Sequence, residues 1–250
     1  MRVLVTRPEP GCSRTVKLLE QRGHEAVAMP LSRIVDLPSA GEELRAVPVH
    51  HAVVTSANAI RAWQALGISH AAVSGPLYAV GERTALTARQ AGFVDVRAGA
   101  GDGAALAGRI LQDMAGGALE VSAAAPLVYV AGRTRHRQFE SVLSAKDVLL
   151  RIVELYDIAQ LSYSTDYMKA VFLERAPVAV LLYSRRAAEL LFLAVAPEAR
   201  GNMLKNCEFF CMSENVVNAI PTQFRNRIAV ASHPDEKHLL SLLDRDGGLS

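Results

Sequence analysis

Val3-Leu4-Val5-Thr6-Arg7 opens the chain as an apolar run closed by a basic residue, and Leu127-Val128-Tyr129-Val130-Ala131-Gly132-Arg133 repeats it half a chain later. Runs of this kind, apolar without polar alternation and each followed by a helical stretch, mark strands buried on both faces of a parallel sheet. Two further pairs extend the repeat. Ala52-Val53-Val54-Thr55-Ser56 precedes an amphipathic helix over 57–66, and Ala179-Val180-Leu181-Leu182-Tyr183-Ser184 precedes one over 185–195. Tyr78-Ala79-Val80-Gly81-Glu82-Arg83-Thr84-Ala85 finds its counterpart in Phe210-Cys211-Met212-Ser213-Glu214-Asn215-Val216-Val217. The offsets are 133 − 7 = 126, 184 − 56 = 128 and 213 − 81 = 132. A self-similarity this regular predicts an α/β fold with internal duplication. Pro30-Leu31-Ser32-Arg33-Ile34-Val35-Asp36 and Arg151-Ile152-Val153-Glu154-Leu155-Tyr156-Asp157-Ile158 also match each other and are candidate connectors between two domains.

The composition of this 250-residue chain narrows the function classes. Half the residues are hydrophobic and 21% are charged, which suits a packed core and excludes a disordered chain. The formal charge, 27 − 25 = +2, lacks the broad positive field that duplex nucleic acid demands, so no nucleic-acid partner is expected. No apolar stretch approaches the ~20 residues of a membrane span, and Arg7 and Pro8 interrupt the apolar start. A cytoplasmic protein without a signal peptide or membrane partner is therefore expected. Cys12, Cys207 and Cys211 cannot all pair and read as reduced thiols, the last two packed in the core and not on a metal.

Several chemistries are missing from the motifs. Gly99, Gly101 and Gly103 miss the dinucleotide fingerprint by one residue and have no buried strand in front of them; no Gly-Lys-Ser/Thr loop is present either, so no cofactor is expected. No Gly-x-Ser-x-Gly elbow surrounds Ser56 or Ser184. What remains is a set of strand-to-helix turns at Thr6-Arg7, Ser56, Gly81, Gly132, Ser184 and Ser213. In parallel sheets such turns collect on the carboxyl edge, where free N–H groups and positive helix ends bind anions, and here they would line one cleft. Each Ser taken singly is an ordinary helix cap. Arg133, Arg135 and Arg137 follow the second-half sheet edge and suit carboxylates, or else form a solvated helix start. Tyr156 is favoured in its connector by β propensity alone, yet its phenol is the obvious acid at a domain junction.

Val3-Leu4-Val5-Thr6-Arg7-Pro8, Val54-Thr55-Ser56-Ala57-Asn58-Ala59-Ile60, the Tyr78–Ala85 block, the Gly132 turn, Val153-Glu154-Leu155-Tyr156 and Leu182-Tyr183-Ser184 together resemble uroporphyrinogen-III synthase in order and spacing. The resemblance spans almost the whole chain and is carried by the ordered set, not by any one block. It implies two similar parallel-sheet α/β domains joined by a two-stranded connector, one built from 1–35 plus 159–250 and the other from 36–158. It also implies a cofactor-independent lyase that closes hydroxymethylbilane with inversion of the last pyrrole ring and loss of water, in tetrapyrrole (haem) biosynthesis. Tyr156 matches the family's candidate acid, and Thr84 matches its threonine after the first Val-Gly turn. Thr6, Arg7, Ser56, Asn58, Gly81, Gly132, Arg133, Ser184 and Ser213 are the remaining expected substrate-binding residues. Where many relatives have Gly and Thr, this chain has Ser213 and Val216, which weakens the expectation there. The alternative is a non-catalytic bilobal module that closes on an anionic tetrapyrrole or other polycarboxylate. With no apolar stripe left over, a monomer is expected.

Overall fold

The computed structural model describes residues 1–37, 39–70 and 73–244. Two compact units divide the chain, one formed by Met1–Arg33 and Ala159–Ser250 and the other by Ile34–Ile158. In the first unit, β1 (Arg2–Val5), β2 (Glu25–Ala28), β9 (Ala179–Leu182), β10 (Glu208–Cys211) and β11 (Ile228–Val230) form a parallel sheet in the order β11-β10-β9-β1-β2. In the second, β3 (Ser32–Asp36), β4 (His51–Val54), β5 (Leu77–Ala79), β6 (Val96–Ala98), β7 (Leu127–Gly132) and β8 (Leu150–Gln160) take the order β3-β8-β7-β4-β5-β6. Set β3 aside and the two orders coincide, with β8, β7, β4, β5 and β6 standing where β2, β1, β9, β10 and β11 stand. In chain order the first sheet reads 2-1-3-4-5, the flavodoxin-like winding whose strand order reverses beside the first strand; the second, without β3, has the same layout but reads 5-4-1-2-3, because its two opening strands come later in the chain. Each sheet combines the opening strands of one repeat with the closing strands of the other.

The apolar runs form central strands because both faces are covered. On β1, Leu4 packs with Val180, Leu182 and the helix α8 (Arg185–Ala194), while Val3 and Val5 pack with Leu19, Leu239 and Leu240 on the opposite face. On β7, Val128 and Val130 join Ile60 and Trp63 of α3 (Ala57–Ala65), and Tyr129 and Ala131 face Leu106 and Ile110 of α5 (Gly103–Ala115). Cys12, Cys207 and Cys211 are free and buried in these cores. The edge strands β2, β6 and β11 are only partly buried, and β2 left no apolar run to read because Glu25 and Ala28 face solvent.

The strand in front of Gly99, β6, is a three-residue half-buried edge strand and not a buried one; Gly99 and Gly101 then bond back to Ala79 and Val80. One sequence reading needs correction, the offset of the first strand pair. Val5 lies opposite Leu181, and Tyr129 lies opposite Val53. Leu181 and Val53 are equivalent, each three residues before the capping Ser, so Val5 matches Tyr129 at an offset of 129 − 5 = 124. Arg7 thus corresponds to Ala131, not to Arg133. Both runs close on Arg by sequence coincidence, whereas backbone pairing fixes the true register.

Candidate functional site

Tyr156 owes its position to an irregularity in β8. Along the β7–β8 ladder Ala131 lies opposite Glu154, but Gly132 lies opposite Tyr156, so Leu155 is an extra residue on β8. Bulges of this type are rare between parallel strands and turn the side chains beyond them. Alternation would put Val153 and Leu155 on one face and Tyr156 on the other. Instead Val153, Leu155 and Tyr156 all join the same core cluster. The ladder closes again through the Arg133 N–H, which donates to the Tyr156 carbonyl at 2.8 Å, while the Leu155 carbonyl accepts from the Leu37 N–H at 3.0 Å.

The phenol reaches the strand-to-helix turn at Gly132. A Cβ there would lie 2.7 Å from Cε2 and Cζ of Tyr156 and 3.0 Å from its hydroxyl, so only glycine lets the ring sit against this turn. Ser56 caps α3 by accepting the Asn58 N–H at 3.1 Å. The Tyr156 ring is 5% exposed. Burial raises its pKa, opposed by the Ser56 hydroxyl and the nearby Arg135 charge, and the group stays a protonated phenol near neutral pH. Gly132→Ala is expected to displace the phenol and cost about 1 to 3 kcal/mol by overpacking. The tyrosine ring-carbon resonance of residue 156 would report the displacement and the melting temperature the cost; unchanged values of both would refute the contact.

Asn58 sits in the first turn of α3, where its side-chain carbonyl accepts from Arg61 at 2.9 Å. Gly81 is the cap position of α4 (Glu82–Gln90); a Cβ there would lie 3.2 Å from the Gly101 Cα, so the turns after β5 and β6 press together. Thr84 is buried one turn into α4, its N–H on the Gly81 carbonyl at 3.0 Å. Arg133 and Arg137 are the open arginines of their segment: the Arg133 side chain is 57% exposed and pairs with Glu154 at 3.2 Å, and the Arg137 side chain is 71% exposed and lies 3.6 Å from Glu140. The Glu154 carboxyl is held below its usual range first by the hydrogen bond from Arg135. The carboxyl edge of this sheet therefore brings Tyr156, Ser56, Asn58, Gly132 and Arg133 to neighbouring turns, with Gly81 and Thr84 one strand further out.

In the other unit the expected residues are more inward-facing. Thr6 is fully buried and its hydroxyl donates to the Leu181 carbonyl at 2.8 Å, which ties β1 to β9 and leaves that proton committed within the sheet. Arg7 lies over the Tyr183 ring at 4.1 Å and against Gly11, where a Cβ would come within 2.5 Å of its Nε. Its Nη1 donates to Glu236 at 2.7 Å. Glu236 also accepts from the Thr15 hydroxyl at 2.6 Å and the Tyr183 hydroxyl at 2.9 Å. Burial opposes ionisation of this carboxyl, but the Thr15 and Tyr183 hydrogen bonds and the Arg7 and Arg14 charges outweigh it and lower its pKa. Burial likewise pushes the Tyr183 hydroxyl up to about 12. Sequence reasoning overlooked Thr15 and Glu236 because each joins Arg7 only through the fold. Ser184 caps α8, accepting the Ala187 N–H at 3.2 Å. Ser213 holds the cap position of the four-residue α10 (Glu214–Val217) without a side-chain cap bond.

The chain matches the model of the family described as uroporphyrinogen-III synthase HemD over residues 13–241. The chain belongs to the uroporphyrinogen-III synthase family. Its fold is similar to that of uroporphyrinogen-III synthetase from Helicobacter pylori, at 15% identity and a TM-score of 0.60 over 97% of this chain and 98% of that one. It is equally similar to a selenomethionine mutant of uroporphyrinogen III synthase from the extremely thermophilic bacterium Thermus thermophilus, at 14% identity and a TM-score of 0.59 over 98% of each chain. No curated protein matches it in sequence. Family membership agrees with the architecture, a duplicated parallel α/β fold whose two sheets exchange strands. Among the described residues no helix is long and apolar enough to cross a membrane, and no group of three or more His, Cys, Asp or Glu is placed to hold a metal ion.

Proposed function

We propose that this chain closes hydroxymethylbilane to uroporphyrinogen III, as a hydro-lyase that needs no cofactor. The observation that carries the reading is the aimed, buried phenol of Tyr156 at the carboxyl edge of its sheet, in a chain of the uroporphyrinogen-III synthase family. Tyr156 hands its proton to the terminal hydroxymethyl oxygen. The C–O bond breaks, water leaves, and the electron pair of the adjacent pyrrole nitrogen stabilises the resulting cation. The far pyrrole ring attacks this cation through its substituted α-carbon to give a spiro intermediate; the bond from that carbon to its original methylene bridge then breaks, the ring's free α-carbon closes on that methylene so that the ring is inverted, and the phenolate recovers the proton this carbon loses. A positioned acid contributes about 10² to 10⁴-fold. The larger task is conformational, because the open chain also closes unaided to the non-inverted isomer; holding it so that this closure is out of reach is catalysis by positioning.

The eight carboxylates of the substrate call for local positive potential on a protein of net charge +2. Backbone N–H groups at the starts of α3, α4 and α8, beside Ser56, Gly81 and Ser184, would supply it, with Asn58, Thr84 and the exposed Arg133 adding side-chain donors. Thr6 and Arg7 support the neighbouring turn from within, and Ser213 offers its hydroxyl at the start of α10. A cytoplasmic monomer fits the same reading. Membership of an enzyme family favours it over a non-catalytic binding module. The test is consumption of freshly made hydroxymethylbilane by chelator-treated protein, measured against the spontaneous rate. Consumption well above that rate, undiminished by the chelator, is the expected result. A rate equal to the spontaneous one, with ligand retained, would establish the binding module instead.

A further inference from the structure

We propose that Arg135 is the positioning residue for Tyr156: it clamps the β8 bulge and so aims the phenol at the Gly132 turn without itself touching substrate. The inference rests on the catalytic reading of Tyr156 and adds a residue to it. The Arg135 side chain is 8% exposed. Its Nε donates to Glu140 Oε1 at 2.6 Å and its Nη2 to Glu140 Oε2 at 3.4 Å, a two-pronged hold on α6 (Gln138–Ser144). Its Nη1 donates to the carbonyls of Gly132 at 2.9 Å and Arg133 at 3.2 Å, and to Glu154 Oε1 at 2.7 Å. One guanidinium thus bridges the turn after β7, the first turn of α6 and the residue immediately before the extra Leu155.

This is the geometry needed to hold a bulge open. A strand freed of its clamp gains ladder pairing by slipping into regular register, and a one-residue slip sends each following side chain to the opposite face. For β8 that side chain is Tyr156, whose ring now lies against Gly132. The planar fork of arginine matches the two oxygens of Glu140 while still reaching two carbonyls and a second carboxylate, which the single ammonium of lysine cannot do. Arg133 and Arg137, two residues to either side and mostly exposed, are left as the arginines open to a substrate carboxylate. The charge of Arg135 also favours the ionised form of Tyr156, which makes the phenol the better proton donor.

The test is a double-mutant cycle of Arg135→Met and Tyr156→Phe, read as kcat and KM, together with NMR of ring-labelled tyrosine in which Tyr156→Phe identifies the residue 156 signal. Arg135→Met is expected to lower kcat by about 10 to 100-fold, with KM changed less than about threefold. In the Tyr156→Phe background the same substitution should add less than about twofold. Multiplicative losses would overturn the proposal, since Arg135 would then act independently of the phenol. The Tyr156 signal should move in Arg135→Met and titrate at higher pH; an unmoved signal would also overturn it. Should Tyr156→Phe leave the rate unchanged, the catalytic reading fails and the NMR signal alone decides the positioning. If Arg135→Met does not fold, Arg135→Lys keeps the charge and loses the fork. Its kcat should lie between wild type and Tyr156→Phe, and an Arg135→Lys rate equal to wild type would overturn the clamp.

Discussion

Tyr156→Phe is expected to lower kcat by about 10² to 10⁴-fold, the contribution of a positioned general acid, while the protein stays folded. The substitution keeps the ring that fills the space beside Gly132 and removes only the hydroxyl. Ser56 keeps its cap bond to Asn58, so the stability change should stay within about 1 kcal/mol. A thermal melt and steady-state kinetics on the same preparation separate the two effects. Because burial lifts the phenol above its usual pKa near 10, its loss as proton donor falls on the alkaline side of that value. Activity should therefore show no Tyr156-dependent decline between pH 6 and pH 9, on the scale set by that ordinary value of about 10. An unchanged kcat in Tyr156→Phe would remove the residue from the mechanism.

Glu236→Ala should be among the most destabilising single changes in the first unit. Glu236 and Arg7 have side chains 21% and 13% exposed, and the carboxylate gathers Arg7, Thr15 and Tyr183. Deleting it leaves the Arg7 charge largely buried on the Tyr183 ring, a loss of about 3 kcal/mol for a broken buried pair. In a chain of this size that corresponds to a drop in Tm of roughly 6 to 12 °C. The lowered pKa fixes the pH dependence. A carboxyl whose folded pKa lies below its unfolded value near 4.3 stabilises fully above that value and loses the contribution as pH falls through the folded one. The variant should therefore lose less stability than the wild type between about pH 5 and pH 3. A Tm matching the wild type at neutral pH would show that the cluster contributes nothing.

The sequence carried the fold where the physics is local. Val53-Val54, Tyr129-Val130 and Leu181-Leu182 are apolar because central parallel strands are buried on both faces, and the Ser that ends two of these runs caps a helix in each. Edge strands carry no such constraint, which is why Glu25–Ala28 went unread. Register was also beyond reach: Arg7 and Arg133 align in sequence, but Val5 and Tyr129 align in the ladder. Of the site, the turns at Ser56, Gly132 and Ser184 were legible as capping and glycine chemistry. The bulge at Leu155 was not, since Val153-Glu154-Leu155-Tyr156 reads as an ordinary alternating strand until Gly132 is seen opposite Tyr156. Thr6 illustrates the converse, a polar side chain at a strand end whose hydroxyl is spent on a neighbouring backbone carbonyl.

The most direct measurement is the isomer produced when purified protein meets freshly generated hydroxymethylbilane, with type III and type I separated chromatographically after oxidation. The account predicts type III in large excess with nothing else added. Type I alone, with the protein folded and present, would contradict it and turn attention to Ser213 and Val216, where the resemblance leads one to expect Gly and Thr.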